Sequence, residues 1–240
     1  MLGAHPVRWA LLTELARSDL RVHELTAIVG ESQNLISYHL GRLRAGGLVS
    51  ARRSAADGRD TYYTLDLARC GDLLAASGAA LHPALRLTSR PIPAGPRRAK
   101  RGARVLFACT GNSARSQLAE AFFRELTAGS IPAVSAGSDP KPVHPFAVTV
   151  MAEYGLDISG QRSKHLDTFV GRRFSHVVTL CDRVREVCPE FGPGAEHIHW
   201  SIPDPAREGS GYPAYQHTAA EVRTRVELLA QRISSTLEEQ

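Results

Sequence analysis

Five residues separate a cysteine, Cys109, from an arginine, Arg115, in the stretch CTGNSARSQ, residues 109–117. The run before it, ARVLFAC, is apolar and rich in β-forming residues, and the run after it has the apolar spacing of a helix. Backbone N–H groups in a loop between a strand and a helix can hold a tetrahedral oxyanion, and the helix dipole adds positive potential. Arg115 can offer two donors to the same anion, and these surroundings are expected to lower the pKa of the Cys109 thiol toward or below neutrality.

Cys-x5-Arg-Ser after a strand predicts phosphatase-type chemistry, which also needs an acid to protonate the departing oxygen. Asp204 lies between two prolines in HWSIPDPAREG, residues 199–209, and is the candidate acid. The predicted oxyanion-binding loop consists of Thr110, Gly111, Asn112, Ser113, Ala114, Arg115 and Ser116.

The length and composition predict a cytoplasmic, globular protein. With 240 residues the chain can form two small domains, each with its own core, and its 43% hydrophobic and 22% charged residues are typical of globular chains. No apolar run approaches the roughly 20 residues that cross a membrane, so no membrane association is expected. Four cysteines are too few and too unevenly spaced for a secreted disulfide framework, which favours catalytic, redox or metal-binding roles.

The positive charge is concentrated in the N-terminal half of the chain. Residues 1–100 carry 14 Lys and Arg against 8 Asp and Glu, whereas residues 101–240 carry 15 against 16. The base-rich half is therefore the candidate for nucleic-acid binding. The segment around residues 86–104 holds seven Arg or Lys, three Pro and no acid, which is typical of a solvated linker. We therefore expect domains at residues 1–85 and 103–240, joined by a basic linker at 86–102.

Three helices are expected in the N-terminal domain. Pro6 begins an amphipathic helix, a short helix covers about residues 22–29, and Ser32 can cap a third helix. The third helix places Ile36, Leu40 and Leu43 on one face. Its outward residues are Gln33, Asn34, Ser37, Tyr38 and Arg42. A short helix, a turn and a helix with a polar outer face form a helix-turn-helix, although a three-helix core can also serve only as a protein-interaction module.

A β-hairpin wing follows in GLVSARRSAADGRDTYYTLDL, residues 47–67. Its β-forming runs flank Asp57-Gly58, a dipeptide that tolerates the positive φ of a tight hairpin. The wing places Arg52, Arg53 and Arg59 where they can contact DNA phosphates. The predicted fold is therefore a winged helix-turn-helix, mostly α with a β-hairpin.

Residues 5–67 resemble the ArsR-type winged-helix repressors through HPVRWALLTELA, SQNLISYHLGRLRAGGLV and DGRDTYYTL. The resemblance implies a homodimer, formed through this domain, that binds a pseudo-palindromic operator and reads bases with Gln33, Asn34, Ser37 and Tyr38. Many such repressors bind arsenite through Cys-x-Cys-Asp-Leu, but this chain has RVHEL at residues 21–25, so that site is absent.

Three other residues of this half could be taken for ligands. One thiol cannot hold a three-coordinate soft ion, so Cys70 is expected to be a small buried hydrophobe. His23 and His39 are expected on a helix surface or facing the DNA groove, and no metal site is predicted.

Residues 103 to about 235 resemble the low-molecular-weight protein tyrosine phosphatase fold, and more closely its arsenate reductase branch. The resemblance is carried by CTGNSARSQ, VSAGSDPKPVHPFAVTVMAEYGLDISGQRSKHL, HVVTLCDRVREVCP and HWSIPDPA. It implies an α/β domain with a four-stranded parallel sheet, helices on both sides and the loop at the carboxyl end of the first strand. Ala206 stands where these phosphatases usually have an aromatic residue, and Gln117 where they commonly have proline. Ala114 stands where both branches often have a second cysteine.

Cys181 and Cys188 distinguish a reductase from a phosphatase. They follow the strand HVVTL, which in a parallel sheet ends beside the Cys109 loop. In a straight helix seven residues at about 1.5 Å each separate their Cα atoms by about 10.5 Å, beyond the roughly 7 Å limit for a disulfide. Oxidising the pair must therefore unwind the helix. The alternative is two unrelated structural cysteines.

The resemblance implies a relay of three thiols. Cys109 attacks arsenate held by the loop and Arg115, Asp204 protonates the leaving oxygen, and Cys181 then Cys188 carry the electrons to thioredoxin or a low-molecular-weight thiol. No cofactor is expected. Some reductases of this branch bind a monovalent cation near Asn112, Glu120 and Ser135, but Lys164 stands where the acidic partner is expected, so this ion is not predicted.

The function predicted from the sequence is arsenate reduction in a protein that also carries an ArsR-type DNA-binding domain, in arsenic resistance and its regulation. Two alternatives stay open. One is a low-molecular-weight protein tyrosine phosphatase fused to a DNA-binding domain. The other is a regulator that responds to oxyanions or redox state without turnover.

Overall fold

The computed structural model describes residues 5–82, 103–207 and 211–235 of the chain. The chain divides into two compact units, residues 1–91 and 92–240, which are described separately below. The predicted linker at 86–102 lies outside the described residues. Among the described helices, none is both long and apolar enough to cross a membrane.

The helices of the first unit begin where the sequence predicts. They are α1 (Pro6–Leu15), α2 (Val22–Val29), α3 (Gln33–Ala45) and α4 (Leu67–Leu81). The side-chain oxygen of Ser32 accepts a hydrogen bond from the Leu35 amide at 3.4 Å and caps α3. The predicted apolar faces of α1 and α3 are buried, and together with Leu25 of α2 they form the core. The predicted three-helix core is confirmed.

The wing is a hairpin of β2 (Val49–Arg53) and β3 (Thr61–Leu65), paired antiparallel. Its loop covers residues 54–60, so it is longer than the predicted tight turn. Gly58 adopts a φ of 70°, and the Asp57 carboxylate accepts a hydrogen bond from the Arg59 amide at 3.0 Å. The hairpin is confirmed, with a longer connection.

A third strand, β1 (Leu20–Arg21), pairs with β3 and completes a small antiparallel sheet. Two residues are too short to show an alternating pattern, so the sequence did not predict it.

One histidine prediction for this unit is wrong. His39 is buried at 3% exposure and its ring centroid lies 4.3 Å from that of His5, so it faces the interior, not the surface or the groove. Burial lowers the pKa of His39. His23 is exposed, as predicted. Cys70 is half-buried against the core, and burial raises the pKa of its thiol.

The second unit contains a four-stranded parallel sheet. Its strands are β4 (Val105–Cys109), β5 (Ala133–Gly137), β6 (His176–Thr179) and β7 (Glu196–His199), in the order β5-β4-β6-β7. Every residue of β4 is buried, as expected for a parallel strand covered on both faces. Strand β6, which precedes Cys181, lies directly beside β4, which ends at Cys109, as predicted.

The helices of this unit are α5 (Arg115–Leu126), α6 (Pro145–Glu153), α7 (Asp182–Val187) and α8 (Gly211–Ser235), with a 3-10 helix at Leu166–Phe169. Helices α5 and α6 pack against α8, α5 also contacts β4 and β5, and α7 contacts β4 and β6. Aromatic side chains fill the core, with Phe107 of β4 5.6 Å from Phe123 and 6.3 Å from Trp200 between ring centroids. This packing fixes the end of β4, where the candidate site lies.

Candidate active site

The loop between Cys109 and Arg115 is shaped by backbone hydrogen bonds to the segment 139–144. Three loop carbonyls accept from this segment: Thr110 from the Asp139 amide at 2.9 Å, Gly111 from Lys141 at 2.8 Å and Ser113 from His144 at 2.9 Å. In a trans peptide the carbonyl and the next N–H point in opposite directions. The N–H groups that follow these carbonyls, those of Gly111, Asn112 and Ala114, therefore point away from this segment.

Asn112 is the centre of the loop's side-chain network. It adopts a left-handed φ of 43°, which asparagine tolerates better than most residues. Its Nδ2 donates to Ser116 Oγ at 2.8 Å, and its Oδ1 accepts from the Lys164 amide at 2.8 Å. Its backbone carbonyl accepts from Gln117 Nε2 at 2.9 Å and from Ser163 Oγ at 2.8 Å. The sequence predicted Asn112 as a loop member but not this role, because its partners near residue 164 are remote in sequence.

The Cys109 thiol lies at the base of the loop, 3.0 Å from Ser116 Oγ, and is 2% exposed. Because Asn112 donates to Ser116, the hydroxyl hydrogen of Ser116 is free to point at the sulfur. Burial is the largest influence on the pKa of Cys109 and raises it, whereas Arg115 and Ser116 lower it. The predicted fall in this pKa is therefore wrong for the folded protein: the sequence shows the favourable charges but not the depth of burial.

Arg115 and Asp204 meet at the site, as the sequence predicts. Arg115 Nη2 lies 3.2 Å from Asp204 Oδ2, and Arg115 Nη1 donates to the Ile202 carbonyl at 2.9 Å. The Arg115 side chain is 7% exposed, whereas that of Asp204 is 49% exposed. A buried guanidinium is thereby held at the start of α5, and the carboxylate stands at the solvent side.

The other two cysteines lie at the two ends of α7. Cys181 immediately precedes this helix and is buried, with its Sγ 3.2 Å from Thr110 Oγ1 of the loop. Cys188 ends the helix and is half-buried. Burial and the Glu190 carboxylate raise the pKa of Cys188 to about 11. All four cysteines are free thiols, and the predicted helix between Cys181 and Cys188 is present.

Near the loop, a lysine and an arginine neutralise a buried carboxylate. Glu120 is 2% exposed; its Oε1 lies 2.6 Å from Arg124 Nη2 and its Oε2 lies 3.5 Å from Lys164 Nζ. These two cations supply the charge that a monovalent ion beside Glu120 would bring, so the residues do not fit that ion. Within the described ranges no cluster of three or more His, Cys, Asp or Glu could hold a metal.

The predicted DNA-contacting side chains of α3 share an exposed surface. Tyr38 is 60% exposed, and the other residues of this set are exposed as well: Gln33, Asn34, Ser37 and Arg42. On the wing, Arg53 and Arg59 are exposed and Arg52 is half-buried. The surface is accessible, and its contact with bases or phosphates stays a prediction.

Gly137, at the end of β5, touches the loop so closely that no side chain fits. A Cβ on this residue would lie 2.5 Å from the Thr110 carbonyl oxygen and 2.9 Å from the Asn112 amide nitrogen. We expect Gly137→Ala to displace the loop, weakening phosphate binding at least tenfold and destabilising the fold by about 1–3 kcal/mol. Titration calorimetry with inorganic phosphate measures the first effect and urea unfolding the second.

Gly160→Ala is the matched control, because a Cβ on Gly160 meets nothing within 4 Å and its φ is not positive. Equal phosphate affinity in the two alanine variants would contradict the proposed contact between Gly137 and the oxyanion loop.

Comparison with known families finds matches in two separate stretches of the chain. Residues 104–239 match the family model described as low molecular weight phosphotyrosine protein phosphatase, which is more than half of the chain. The chain belongs to this phosphatase family. Residues 5–51 match the model described as bacterial regulatory protein, arsR family, so this phosphatase-family chain also carries an arsR-type helix-turn-helix domain. Both family resemblances are confirmed.

Several arsenate reductases are similar in sequence to the second unit. An arsenate reductase of Brevibacillus brevis is 36% identical over 127 residues, covering 53% of this chain and 93% of the relative. A glutaredoxin arsenate reductase of Synechocystis sp. is 36% identical over 131 residues, covering 55% and 98%. A solved structure described as an arsenate reductase in oxidized state is 35% identical, covers 55% of this chain and 98% of its own, and has a TM-score of 0.50.

Proposed function

We propose that the second unit reduces arsenate to arsenite with three thiols, Cys109, Cys181 and Cys188. The observation that carries the proposal is the position of Cys181, whose sulfur lies against Thr110 of the oxyanion loop while Cys188 stands at the far end of α7. A phosphatase needs neither thiol, whereas a reductase needs a route for two electrons out of the site. The similarity to arsenate reductases supports the choice of arsenate as the oxyanion.

The first step is attack of Cys109 on arsenic. The thiol gives its proton to an oxygen of the bound arsenate dianion, and the resulting thiolate is the nucleophile. The loop amides and Arg115 hold the arsenate oxygens, and Ser116 donates to the sulfur and stabilises the thiolate. An S–As bond forms, an As–O bond breaks, and Asp204 gives its proton to the departing oxygen, which leaves as water. The exposed position of Asp204 lets it recover a proton from solvent.

The second step reduces arsenic. The Cys181 thiolate attacks the Cys109 sulfur, an S–S bond forms, and the electron pair of the As–S bond stays on arsenic. Arsenic thereby becomes As(III) and leaves as arsenite. The Cys188 thiol then attacks Cys181, and its proton passes to the departing Cys109 sulfur, leaving a Cys181–Cys188 disulfide and a free Cys109 thiol.

Formation of that disulfide requires a change in α7. Cys181 and Cys188 flank a six-residue helix. Seven residues at a rise of about 1.5 Å each separate their Cα atoms by more than the roughly 7 Å that a disulfide allows. The Cys188 end must therefore leave its half-buried position, and the oxidised segment becomes accessible to a dithiol donor. The proposed donor is thioredoxin, with a low-molecular-weight thiol or glutaredoxin as the alternative, since one similar protein is a glutaredoxin arsenate reductase.

The test is arsenate-dependent NADPH oxidation by the full chain with two reducing systems. One contains thioredoxin and thioredoxin reductase, and the other contains glutaredoxin, glutathione and glutathione reductase. We expect turnover with the first system. Turnover with only the second system would show that the electron donor is glutaredoxin or glutathione and would still support arsenate reduction. The absence of turnover with either system would reject the proposal.

Aryl phosphate hydrolysis is the second candidate activity, because the family match and the set of Cys109, Arg115 and Asp204 suffice for it. Ala206 follows the Asp204-Pro205 pair and offers no ring to stack on an aromatic substrate. Hydrolysis of p-nitrophenyl phosphate by Cys181→Ser, without any arsenate reduction by the intact protein, would favour the phosphatase.

We further propose that the first unit, with limits near residues 1–85, binds operator DNA as a homodimer and links the enzyme to the regulation of arsenic resistance. In the proposed complex Gln33, Asn34, Ser37 and Tyr38 contact bases, while Arg42 and the wing arginines contact phosphates. The match to arsR-family regulators and the exposure of these side chains support this assignment. Sedimentation of the intact chain with and without duplex DNA tests the dimer.

Loss of two wing arginines is expected to change the salt dependence of DNA binding. In the double variant Arg53→Ala and Arg59→Ala, each lost phosphate contact should reduce the slope of log K against log salt by about 0.9. Fluorescence anisotropy with a mixed-sequence duplex of about 30 base pairs, long enough for one dimer on two half-sites, measures this slope. Arg172→Ala removes one charge from the second unit and should leave the slope unchanged. Equal slopes in all variants would remove the wing from the interface.

A further inference from the structure

We propose that a buried pair, Asp182 with His199, anchors the first turn of α7, so that Cys181 stays at the oxyanion loop while the Cys188 end of the helix unwinds. This inference rests on the proposed reductase function. It assigns two positioning residues that neither the relay nor the oxyanion loop includes.

The pair ties the start of α7 to the sheet. Asp182 directly follows Cys181 and is 0% exposed, and His199, the last residue of β7, is 2% exposed. His199 Nε2 lies 3.1 Å from Asp182 Oδ1, and the Ser201 hydroxyl donates to the same oxygen at 2.7 Å. His199 Nδ1 lies 2.8 Å from Thr179 Oγ1, at the end of β6. The carboxylate is thus held by two polar side chains, one of them fixed to the neighbouring strand.

The other end of α7 is more exposed than its first turn. Val187 is 60% exposed, Glu186 is exposed and Cys188 is half-buried, whereas only Asp182 and Val184 of this helix are buried. Withdrawing a buried carboxylate from its donors costs far more than exposing the last turn of a short helix. When the two cysteines approach each other, the Cys188 end is therefore the one that moves.

An anchored Cys181 suits both thiol exchanges of the relay. It must first reach Cys109, which lies at the base of the adjacent loop. It must then accept attack by Cys188, with the Cys109 sulfur as the leaving group. Asp182 also contributes to the electrostatic surroundings of Arg115. Burial acts to lower the pKa of Arg115, but nearby acidic groups outweigh this effect and raise the pKa. These groups are Cys181, Cys109, Asp204 and Asp182. The anchor therefore holds one more negative charge near the guanidinium.

A second histidine–carboxylate pair, which joins β6 to β7, provides the control. His176 begins β6 and Glu196 begins β7, with His176 Nε2 3.4 Å from Glu196 Oε2. This pair lies at the opposite ends of the strands from α7. A variant such as His176→Gln loses a histidine–carboxylate contact without touching the helix.

The first arm of the test needs no arsenate. In the full chain with Cys70→Ser and Cys109→Ser, diamide takes two electrons and two protons from Cys181 and Cys188 and forms their disulfide. We expect the ¹⁵N shifts of the His199 ring to be the same in the reduced and oxidised forms, while the heteronuclear NOE falls at residues 186–188 only. In Asp182→Asn or His199→Gln the NOE should fall at residues 181–183 as well, and in His176→Gln it should not.

The second arm measures the exchange itself. With arsenate and no reductant, in a Cys188→Ser background, we expect Asp182→Asn and His199→Gln to slow formation of the Cys109–Cys181 disulfide at least tenfold, and His176→Gln to change it less than twofold. A His199 ring that shifts on oxidation, a disulfide that does not form with diamide, or equal behaviour of all three variants would overturn the anchor. If the protein does not reduce arsenate, only the second arm is lost. That result rejects the proposed reductase function, and the first arm, which uses no arsenate, still decides whether the anchor exists.

Discussion

Arg115→Lys is expected to lower kcat for arsenate reduction at least about 100-fold. The guanidinium is held by the Ile202 carbonyl and by Asp204, and its side chain is only 7% exposed, so its orientation is fixed before substrate binds. Lysine keeps the charge but offers a single point donor where a planar fork can contact two oxygens. Steady-state kinetics with saturating reductant measure the effect.

The matched control is Arg124→Lys, the same substitution on the same helix. Arg124 pairs with Glu120, a carboxylate outside the oxyanion loop, and is 49% exposed. Its replacement should change kcat less than about threefold, because a lysine can also reach the carboxylate. If Arg115→Lys retained a third or more of the activity, Arg115 could not be the main ligand of the oxyanion.

Cys188→Ser is expected to allow one turnover and then stop. With the last thiol missing, Cys181 can still attack Cys109 and release arsenite, but the Cys109–Cys181 disulfide has no internal partner to open it. This disulfide lies where Cys181 is buried, so the reducing protein cannot reach it, and multiple turnover should fall at least about 1,000-fold. Quenched-flow arsenite analysis and mass spectrometry of the trapped disulfide measure both parts.

Cys70→Ser is the control for this prediction, since Cys70 is half-buried in the first unit and takes no part in the relay. It should keep turnover within about twofold of the intact protein. Sustained turnover by Cys188→Ser, or release of arsenite without any disulfide, would remove Cys188 from the proposed mechanism.

Much of the fold follows from local signals in the sequence. Pro6 and Ser32 mark the starts of α1 and α3, and the apolar run that ends at Cys109 defines β4. The site's main members could also be predicted, because the type and spacing of Cys109 and Arg115 are specific to one chemistry. Each of these signals lies within a few residues of the feature it predicts.

The remaining features depend on contacts between distant parts of the chain. Asn112 is held by Ser163 and Lys164, about 50 positions away, and the Asp182–His199 pair joins a helix to a strand. No local pattern predicts such pairings. The prediction of a lowered pKa for Cys109 was wrong for a related reason. The charges that lower this pKa are close in sequence, but the burial that raises it comes from the whole core.

A single-turnover experiment tests the central proposal most directly. Fully reduced protein is mixed with one equivalent of arsenate and no reductant, and the product and the disulfides are identified by arsenic speciation and peptide mass spectrometry. Three-thiol reduction predicts one equivalent of arsenite per chain and a Cys181–Cys188 disulfide, with Cys109 again a free thiol. Unchanged arsenate with all three thiols still reduced would contradict it.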